Sequence, residues 1–277
     1  MNTYIKILRP VNALMAVIAV LIMALITKTY NTNILLGALA VFIITGAGNI
    51  INDYYDYNID LINKPERPLP SKKISLKTAK YYAITLFIIG IIIGTIISTT
   101  TSIITIISSI ILILYAYSFK KQCLIGNISV AILTGLTFIY SGIIVNNIQL
   151  SIILGFLAFL MTLAREIIKD MEDIEGDLKE NAKTFPIKYG LKKSAILSST
   201  LIIITCILSL IPYYLKIFNI NYLIILIISW TIFLYSAYII QKNQTNNKLQ
   251  KISKYMKIAM FITFISFIIG SPIPIKI

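Results

Sequence analysis

Long apolar segments that follow one another along the whole chain constrain its fold more than any other feature. Runs such as Leu35–Ile44, Ile84–Ile97 and Ile103–Leu114 contain no charged residue. A helix needs about 20 mostly apolar residues to cross a bilayer core, and in lipid every backbone polar group must be hydrogen-bonded within the protein. The runs are continuous rather than alternating, which is typical of membrane helices and argues against a β-barrel.

The composition agrees with this interpretation, because 57% of the residues are hydrophobic and only 13% are charged, whereas soluble domains carry about 25% charged residues. The sequence predicts an all-α integral membrane protein: nine transmembrane helices in one bundle, forming a single domain over residues 1–277. The predicted spans are Asn12–Thr27, Asn33–Asp60, Thr78–Ser98, Ile103–Phe119, Ile125–Val145, Leu150–Asp173, Ser194–Tyr214, Tyr222–Ile240 and Lys254–Gly270.

Basic residues are distributed unevenly across these spans, and this distribution predicts the orientation. With nine spans, all of the 25 Lys and Arg residues except Lys28, Lys216 and Lys276 fall on one side. Because basic residues accumulate in cytoplasmic loops, we expect the N-terminus in the cytoplasm and the C-terminus outside the cell membrane. The net charge of +14 then reflects topology and attraction to anionic membrane lipids, and no nucleic-acid partner is expected.

The acidic residues are even more restricted. All eleven Asp and Glu residues lie in two stretches, Asp53–Glu66 and Glu166–Glu180. Each stretch follows a long apolar span, the second and the sixth, and precedes a basic loop with a similar order of Pro, Lys, Leu and Ala. This repetition favours two related four-helix halves plus one further helix, with both acidic stretches at the cytoplasmic face.

Within both stretches, polar residues recur at the spacing of one helical face. Asn52, Asp56 and Asp60 are four residues apart, as are Asp173 and Asp177. Like charges at this spacing destabilise a helix by roughly a few tenths of a kcal/mol, and near a helix C-terminus the macrodipole adds to the repulsion. Nearby cations would offset it, and clustered carboxylate and amide oxygens suit Mg²⁺. The alternative is a solvated acidic patch that balances the basic loops.

The chain contains no histidine, and its two cysteines are Cys123 and Cys206. The absence of histidine excludes a His general base, a His-ligated zinc ion and His-ligated haem. Neither cysteine belongs to a spacing typical of metal sites, and both lie in or beside apolar segments. We therefore interpret the cysteines as inert packing residues. The cofactor that the clustered Asp and Asn side chains suggest is Mg²⁺.

These motifs resemble those of the UbiA superfamily of membrane prenyltransferases, and the resemblance covers the whole chain. The family motifs NDxxDxxxD and DxxxD stand here as Asn52–Asp60 and Asp173–Asp177, with the common preceding acid at Asp170. Shorter matches are Arg67-Pro68-Leu69-Pro70 after the first motif, Tyr117 and Lys121 after the fourth span, and Arg9, Pro10 and Asn12 at the first span.

The resemblance implies a role for each motif. The two acidic motifs would face each other and bind Mg²⁺, which would hold the diphosphate of an allylic prenyl donor and help its C–O bond to break. The implied metal ligands are Asn52, Asp56, Asp60, Asp173 and Asp177. The implied catalytic residues are Asp56, Asp60, Asp173, Asp177, Tyr117 and Lys121. The implied substrate-binding residues are Asn12, Asn52, Arg67, Lys121, Lys169 and Asp170.

The resemblance also indicates an acceptor. The short chain and the sequence Leu124-Ile125-Gly126-Asn127 look most like archaeal members that transfer a geranylgeranyl group from geranylgeranyl diphosphate to geranylgeranylglyceryl phosphate. That reaction makes the second ether bond of archaeal lipids, so the expected partners are a prenyl diphosphate donor, a lipid-like glycerol phosphate acceptor and membrane lipids. Two alternatives stay open: a prenyltransferase with an aromatic or quinone-precursor acceptor, and a cation transporter with acidic vestibules.

Overall fold

The computed structural model describes residues 2–179 and 181–271, and every regular element in that part of the chain is helical. In chain order the α-helices are α1 (Thr3–Ile7), α2 (Pro10–Thr27), α3 (Thr32–Tyr55), α4 (Tyr57–Asn63), α5 (Leu76–Ile97), α6 (Thr99–Tyr117), α7 (Ile125–Ile144), α8 (Ile148–Glu172), α9 (Ile174–Lys179), α10 (Phe185–Tyr189), α11 (Leu191–Leu208), α12 (Ile211–Tyr214), α13 (Ile220–Lys242) and α14 (Asn246–Gly270). A 3₁₀ helix, Phe119–Lys121, precedes α7.

Nine segments of the described residues are long and apolar enough to cross a membrane, which confirms the predicted number of spans. They are α2, α3, α5, α6, α7, α8, α11 together with α12, α13 and α14. The last span was predicted to start at Lys254, but α14 starts at Asn246, so its first turns carry Lys248 and Lys251. A prediction based on apolar residues alone places the start of a helix too late when its first turns are charged. Glu180 and Lys276 lie outside the described residues.

Polar N-cap residues fix the start of several spans. The side chains of Asn31, Ser75 and Ser98 accept hydrogen bonds of 3.0–3.1 Å from the backbone N–H three residues later. A cap of this kind stabilises a helix by about 1 kcal/mol because it satisfies an otherwise unpaired N–H group. Ser98 is extended and is the only residue between α5 and α6, so these two apolar helices are joined by a very tight turn.

The described residues form two compact units. The first unit contains the residues up to Phe119 together with Leu136–Ser151. Within it, α3 packs against α2, α5 and α6. Gly48 allows α6 to approach closely, because a Cβ atom at this position would lie 2.8 Å from a methyl group of Leu112. This contact fixes α3 one turn before the first acidic motif.

The second unit contains Lys120–Gly135 and the described residues from Ile152 onward, so the chain passes between the units within the 3₁₀ helix, within α7 and near the start of α8. Its core is formed by α8, α11, α13 and α14. Ile168, Ile202, Ile240 and Met256 are at most 2% exposed and belong to one hydrophobic cluster. The second acidic motif lies at the end of α8, directly after this core.

Candidate active site

The two acidic motifs share one local structure, because in each a helix is interrupted at the middle aspartate. Asp56, with φ −85° and ψ 4°, separates α3 from α4, and Asp173 separates α8 from α9. The backbone N–H of Asp56 still donates to the carbonyl of Asn52 (3.0 Å), and that of Asp173 donates to Lys169 (2.9 Å). The single span predicted for Asn33–Asp60 is therefore wrong in its last turn, but the four-residue spacing is retained.

Arg67 joins two buried carboxylates of the first motif. Its Nη1 donates to Asp60 Oδ2 at 2.6 Å and to Asp53 Oδ1 at 3.1 Å, and both aspartate side chains are no more than 5% exposed. The loop that carries Arg67 is anchored by the buried Pro68, Leu69 and Pro70. Arg67, predicted to bind substrate, thus also holds the motif together.

Asp53 has a second arginine partner, Arg9, which forms an ion pair and hydrogen bond with the same carboxylate oxygen. Arg9 is the N-cap of α2 and has a φ of 50°, a left-handed conformation that costs roughly 1–3 kcal/mol in a non-glycine residue. The ion pair helps to hold this conformation. Sequence patterns alone assign no role to Asp53, and they include Arg9 only in the short match at the first span.

Two asparagines near the end of α3 have different roles. Asn52 Nδ2 donates to Asp56 Oδ2 at 2.8 Å, which connects two predicted metal ligands. Asn49 Nδ2 donates to the carbonyl of Leu8 at 2.9 Å, so it ties α3 to the residue that follows α1.

Two further predicted residues lie in the first unit. Tyr117 is the last residue of α6 and is 66% exposed, and its ring centre is 5.5 Å from that of Tyr55. Tyr55 directly precedes Asp56, so the first unit brings Tyr117 close to the motif. Asn12 is exposed in the first turn of α2, where its N–H donates to the carbonyl of Arg9 at 2.9 Å.

The second motif is held by polar contacts within the second unit. Asp170 Oδ2 accepts a hydrogen bond of 2.8 Å from Asn127 Nδ2, and Asn127 is itself buried on α7. Lys169 Nζ donates to Glu166 at 2.8 Å. Lys121 is half-buried, and its carbonyl accepts a 2.8 Å hydrogen bond from the N–H of Lys183. Of the remaining motif residues, Asp173 is exposed and Asp177 is half-buried.

The chemistry of these side chains fits a divalent cation. The predicted ligands Asn52, Asp56, Asp60, Asp173 and Asp177 offer carboxylate and amide oxygens, which are the donors that Mg²⁺ prefers. In the described part of the chain, no three His, Cys, Asp or Glu residues are grouped so that they could hold a metal ion by themselves. Further ligands would come from water and from phosphate oxygens, as is common for Mg²⁺.

Sequence reasoning missed Arg9 as an ion-pair partner and Asn127 as the partner of a motif aspartate. Both contacts join residues more than 40 positions apart, so no local spacing reveals them. A signal was present in each case, because Arg9 is adjacent to the first span and Asn127 is a polar residue one turn into an apolar helix.

In the part of the chain that the structure describes, nine apolar spans, two of which end at an aspartate motif, define a multi-pass membrane protein. Residues 13–265 match the model of the UbiA prenyltransferase family, and the chain belongs to this family. The chain is therefore a membrane prenyltransferase, and the alternative of a cation transporter is not supported.

Known proteins resemble this chain over almost its full length. It is 60% identical to the digeranylgeranylglyceryl phosphate synthase of Methanosphaera stadtmanae, over 98% of this chain and 100% of that protein. A solved structure of a digeranylgeranylglyceryl phosphate synthase is 40% identical, with a TM-score of 0.86 and 97% of each chain covered. A UbiA homologue from Archaeoglobus fulgidus, solved with GPP and Mg²⁺, shares the fold at 17% identity with a TM-score of 0.65, over 96% of this chain and 99% of that chain.

Proposed function

We propose that this protein is a Mg²⁺-dependent prenyltransferase that transfers a geranylgeranyl group from geranylgeranyl diphosphate to geranylgeranylglyceryl phosphate and releases diphosphate. The observation that carries the proposal is the 60% identity to a digeranylgeranylglyceryl phosphate synthase across that protein's full length. The solved synthase at 40% identity supports the same activity. Since the family match spans residues 13–265, the whole chain would act as one catalytic domain.

The reaction breaks the bond between C1 of the prenyl group and a diphosphate oxygen, and the electron pair stays with the diphosphate. The acceptor's hydroxyl oxygen forms the new ether bond to C1 and loses its proton. Mg²⁺, when bound, supplies Lewis-acid neutralisation of the leaving diphosphate. Because the chain has no histidine, the proton would pass to a carboxylate of the motifs, to water or to the acceptor's own phosphate.

The predicted site residues would divide this work. Asn52, Asp56, Asp60, Asp173 and Asp177 would hold the metal with oxygen ligands. Arg67, Lys121 and Lys169 would bind diphosphate oxygens, and arginine suits bidentate contacts. Tyr117 would face the allylic cation, since a desolvated cation–π contact contributes about 2 kcal/mol. Asn12 and Asp170 would position the substrates.

The acceptor can be tested directly with purified protein in detergent or nanodiscs. We expect turnover with geranylgeranyl diphosphate and geranylgeranylglyceryl phosphate, and none with a 4-hydroxybenzoate-type aromatic acid. Product formation is measured by mass spectrometry. Efficient prenylation of the aromatic acid without any transfer to the lipid would overturn the acceptor and support the aromatic prenyltransferase. Full turnover in EDTA, with metal-free protein verified by elemental analysis, would overturn the role of Mg²⁺.

We also propose that both motifs and the N-terminus face the cytoplasm of the cell and that the C-terminus lies outside. The distribution of basic residues supports this orientation. Lys28 follows α2 and Lys216 follows α12, at the ends of spans assigned to the outer side. Lys72 and Lys73 lie in the loop after the first motif, on the side assigned to the cytoplasm. Single cysteines placed near Lys28 and Lys72 in a background without Cys123 and Cys206 should react with a membrane-impermeant reagent from opposite sides. Labelling from the same side would contradict this orientation.

A further inference from the structure

A groove runs between α11 and α13 on the surface of the second unit, and no residue of the acidic motifs lines it. Its volume is about 460 Å³, and pockets for small ligands typically measure about 300–1,000 Å³. The lining residues are Ile196, Ser199, Thr200 and Ile203 of α11 and Leu234, Ala237, Tyr238 and Gln241 of α13. The four largest apolar and aromatic side chains of this lining are each 43–55% exposed, so the groove is open along one side.

The polar residues of the groove lie at one of its ends. Gln241 Nε2 donates to Ser199 Oγ at 2.9 Å, and Ser199 Oγ donates to the carbonyl of Ala237 at 3.2 Å. Further along, Trp230 Nε1 donates to Ser209 Oγ at 3.0 Å. Later residues of α11 thus pair with earlier residues of α13, so the two helices are antiparallel. The polar end of the groove therefore lies where α11 begins and α13 ends.

Lysines lie at this polar end. Lys242 Nζ donates to the hydroxyl of Tyr238 and lies 4.4 Å from the centre of its ring, so the ammonium group is beside the lining. On α11, Lys192 and Lys193 precede Ile196 by four and three residues, spacings that place them on the same helix face. All three lysines are exposed.

No carboxylate pairs with these three lysines in the part of the chain that the structure describes. Glu172 approaches this region through its backbone, because its carbonyl accepts a 2.9 Å hydrogen bond from Asn246, the first residue of α14. Its side chain, however, interacts with cations of α8 and with Lys254. The polar end of the groove therefore carries three positive charges that an external anion would offset.

We propose that this groove binds an anionic membrane lipid, with its phosphate headgroup at Lys242, Lys192 and Lys193 and one hydrocarbon chain between α11 and α13. Basic pockets between membrane helices bind anionic headgroups in this way. Tyr238 suits the same level, because tyrosines are enriched where a span meets the headgroups. The site is separate from the proposed transfer reaction, since no motif residue lines it.

A second copy of the chain fits this groove less well than a lipid does. Two copies inserted in one membrane share an orientation, and a twofold contact through the groove would bring the same patch of both copies together. The lysines of the two grooves would then meet at one level, and opposed like charges are unfavourable. An anionic lipid instead complements the charge at the polar end and covers the apolar remainder.

Headgroup binding is tested by native mass spectrometry of the purified full chain. The probes are phosphatidylglycerol, which is anionic, and phosphatidylcholine, which is zwitterionic, with identical chains. The wild type should retain phosphatidylglycerol preferentially, and Lys242→Gln and Lys192→Gln should each weaken its binding about fivefold while phosphatidylcholine is unaffected. Lys77→Gln, an exposed lysine of α5 in the first unit, is the matched control. Equal retention of both lipids by the wild type, or an equal loss in the control, would contradict the site.

The position of the chain is tested with Thr200→Phe, which fills part of the groove. Thr100→Phe, at an exposed threonine of α6, is the matched control. Thr200→Phe should weaken binding of a long-chain phosphatidylglycerol more than that of a short-chain one, because only the long chain extends along the whole groove. Equal effects on both chain lengths would show that the chain does not lie there.

Stability and assembly are measured on the same proteins. The substituted side chains are exposed, so the unfolding temperature in lipid-free detergent should be unchanged. Added phosphatidylglycerol should raise the unfolding temperature of the wild type more than that of Lys242→Gln, because a ligand of the folded state stabilises it. Equal rises would argue against this site. A dimer that dissociates in Thr200→Phe, with lipid retention unchanged, would identify a second copy as the occupant and overturn the proposal.

Discussion

Arg67 donates a 2.6 Å hydrogen bond to Asp60, and the same Nη1 atom also reaches Asp53, so one guanidinium organises two buried carboxylates of the first motif. Because Asp53 is also paired with Arg9, the motif contains a network of two arginines and two aspartates. The network connects the start of α2, the end of α3, the short helix α4 and the loop that follows it. The motif is therefore held in place by two arginines that lie outside it in the sequence.

Arg67→Ala should lower both activity and stability. The substitution leaves Asp60 buried without this partner, and breaking a buried ion pair costs about 3–5 kcal/mol, reduced here because Arg67 is 20% exposed. We expect a clear fall in the thermal unfolding temperature in detergent, measured by tryptophan fluorescence. Lys72→Ala, an exposed lysine in the same loop, is the control and should have little effect. Adding Asp60→Asn to Arg67→Ala should restore part of the lost stability. Without any such recovery, the ion pair would not be the cause.

We expect alanine variants of the four motif aspartates to lose activity alike but to differ in stability. Asp56→Ala, Asp60→Ala, Asp173→Ala and Asp177→Ala should each lose most of their turnover. Asp173 is exposed, so its removal relieves repulsion and stability should hold or rise. Asp60→Ala instead removes the partner of Arg67 and should lower the unfolding temperature. Turnover and unfolding are measured on the same preparations, and near-native rates in all four variants would make the motifs a solvated acidic patch.

The sequence predicted the spans and motifs well because both depend on local patterns. Apolar runs define the nine spans, and the spacing of Asp56 and Asp60, or of Asp173 and Asp177, depends only on helical geometry. The interruptions at Asp56 and Asp173 were not predicted, because backbone hydrogen bonds continue across them and neither Gly nor Pro marks the position. Partners such as Arg9 and Asn127 depend on tertiary packing, which no spacing in a single sequence reveals.

Asn127→Ala should lower both stability and activity, because it removes the hydrogen-bond donor to Asp170 of the second motif. Asn127 donates to Asp170 at 2.8 Å and is 5% exposed, so the substitution removes a hydrogen bond from a carboxylate, which typically costs about 1.5–3 kcal/mol. We expect a lower unfolding temperature and a reduced rate. Asn127→Asp keeps the size but places two carboxylates together, and it should be more harmful than alanine.

The matched control for this prediction is Asn127→Ala in an Asp170→Asn background. If the contact acts only through Asp170, the second substitution should have little further effect there. Equal losses in both backgrounds would assign Asn127 a role independent of Asp170. The comparison is made with kcat and the donor KM, since an effect through Asp170 should appear in catalysis as well as in stability.

Cys123, half-buried before α7, should report on the charges beside the second motif. Burial raises the pKa of its thiol, nearby Lys188 lowers it and Asp170 raises it. A raised pKa means a smaller thiolate fraction at a given pH, so alkylation by N-ethylmaleimide at pH 7.5 should be slower than for an ordinary thiol and should increase as the pH rises.

Asp170→Asn removes an acid that raises the pKa of Cys123, so alkylation at fixed pH should become faster. Lys188→Gln should make it slower. Mass spectrometry of the labelled protein gives the rates, and Cys123→Ser gives the background from the buried Cys206. The reverse order of the two variants would show that these charges do not act on Cys123 as the structure indicates.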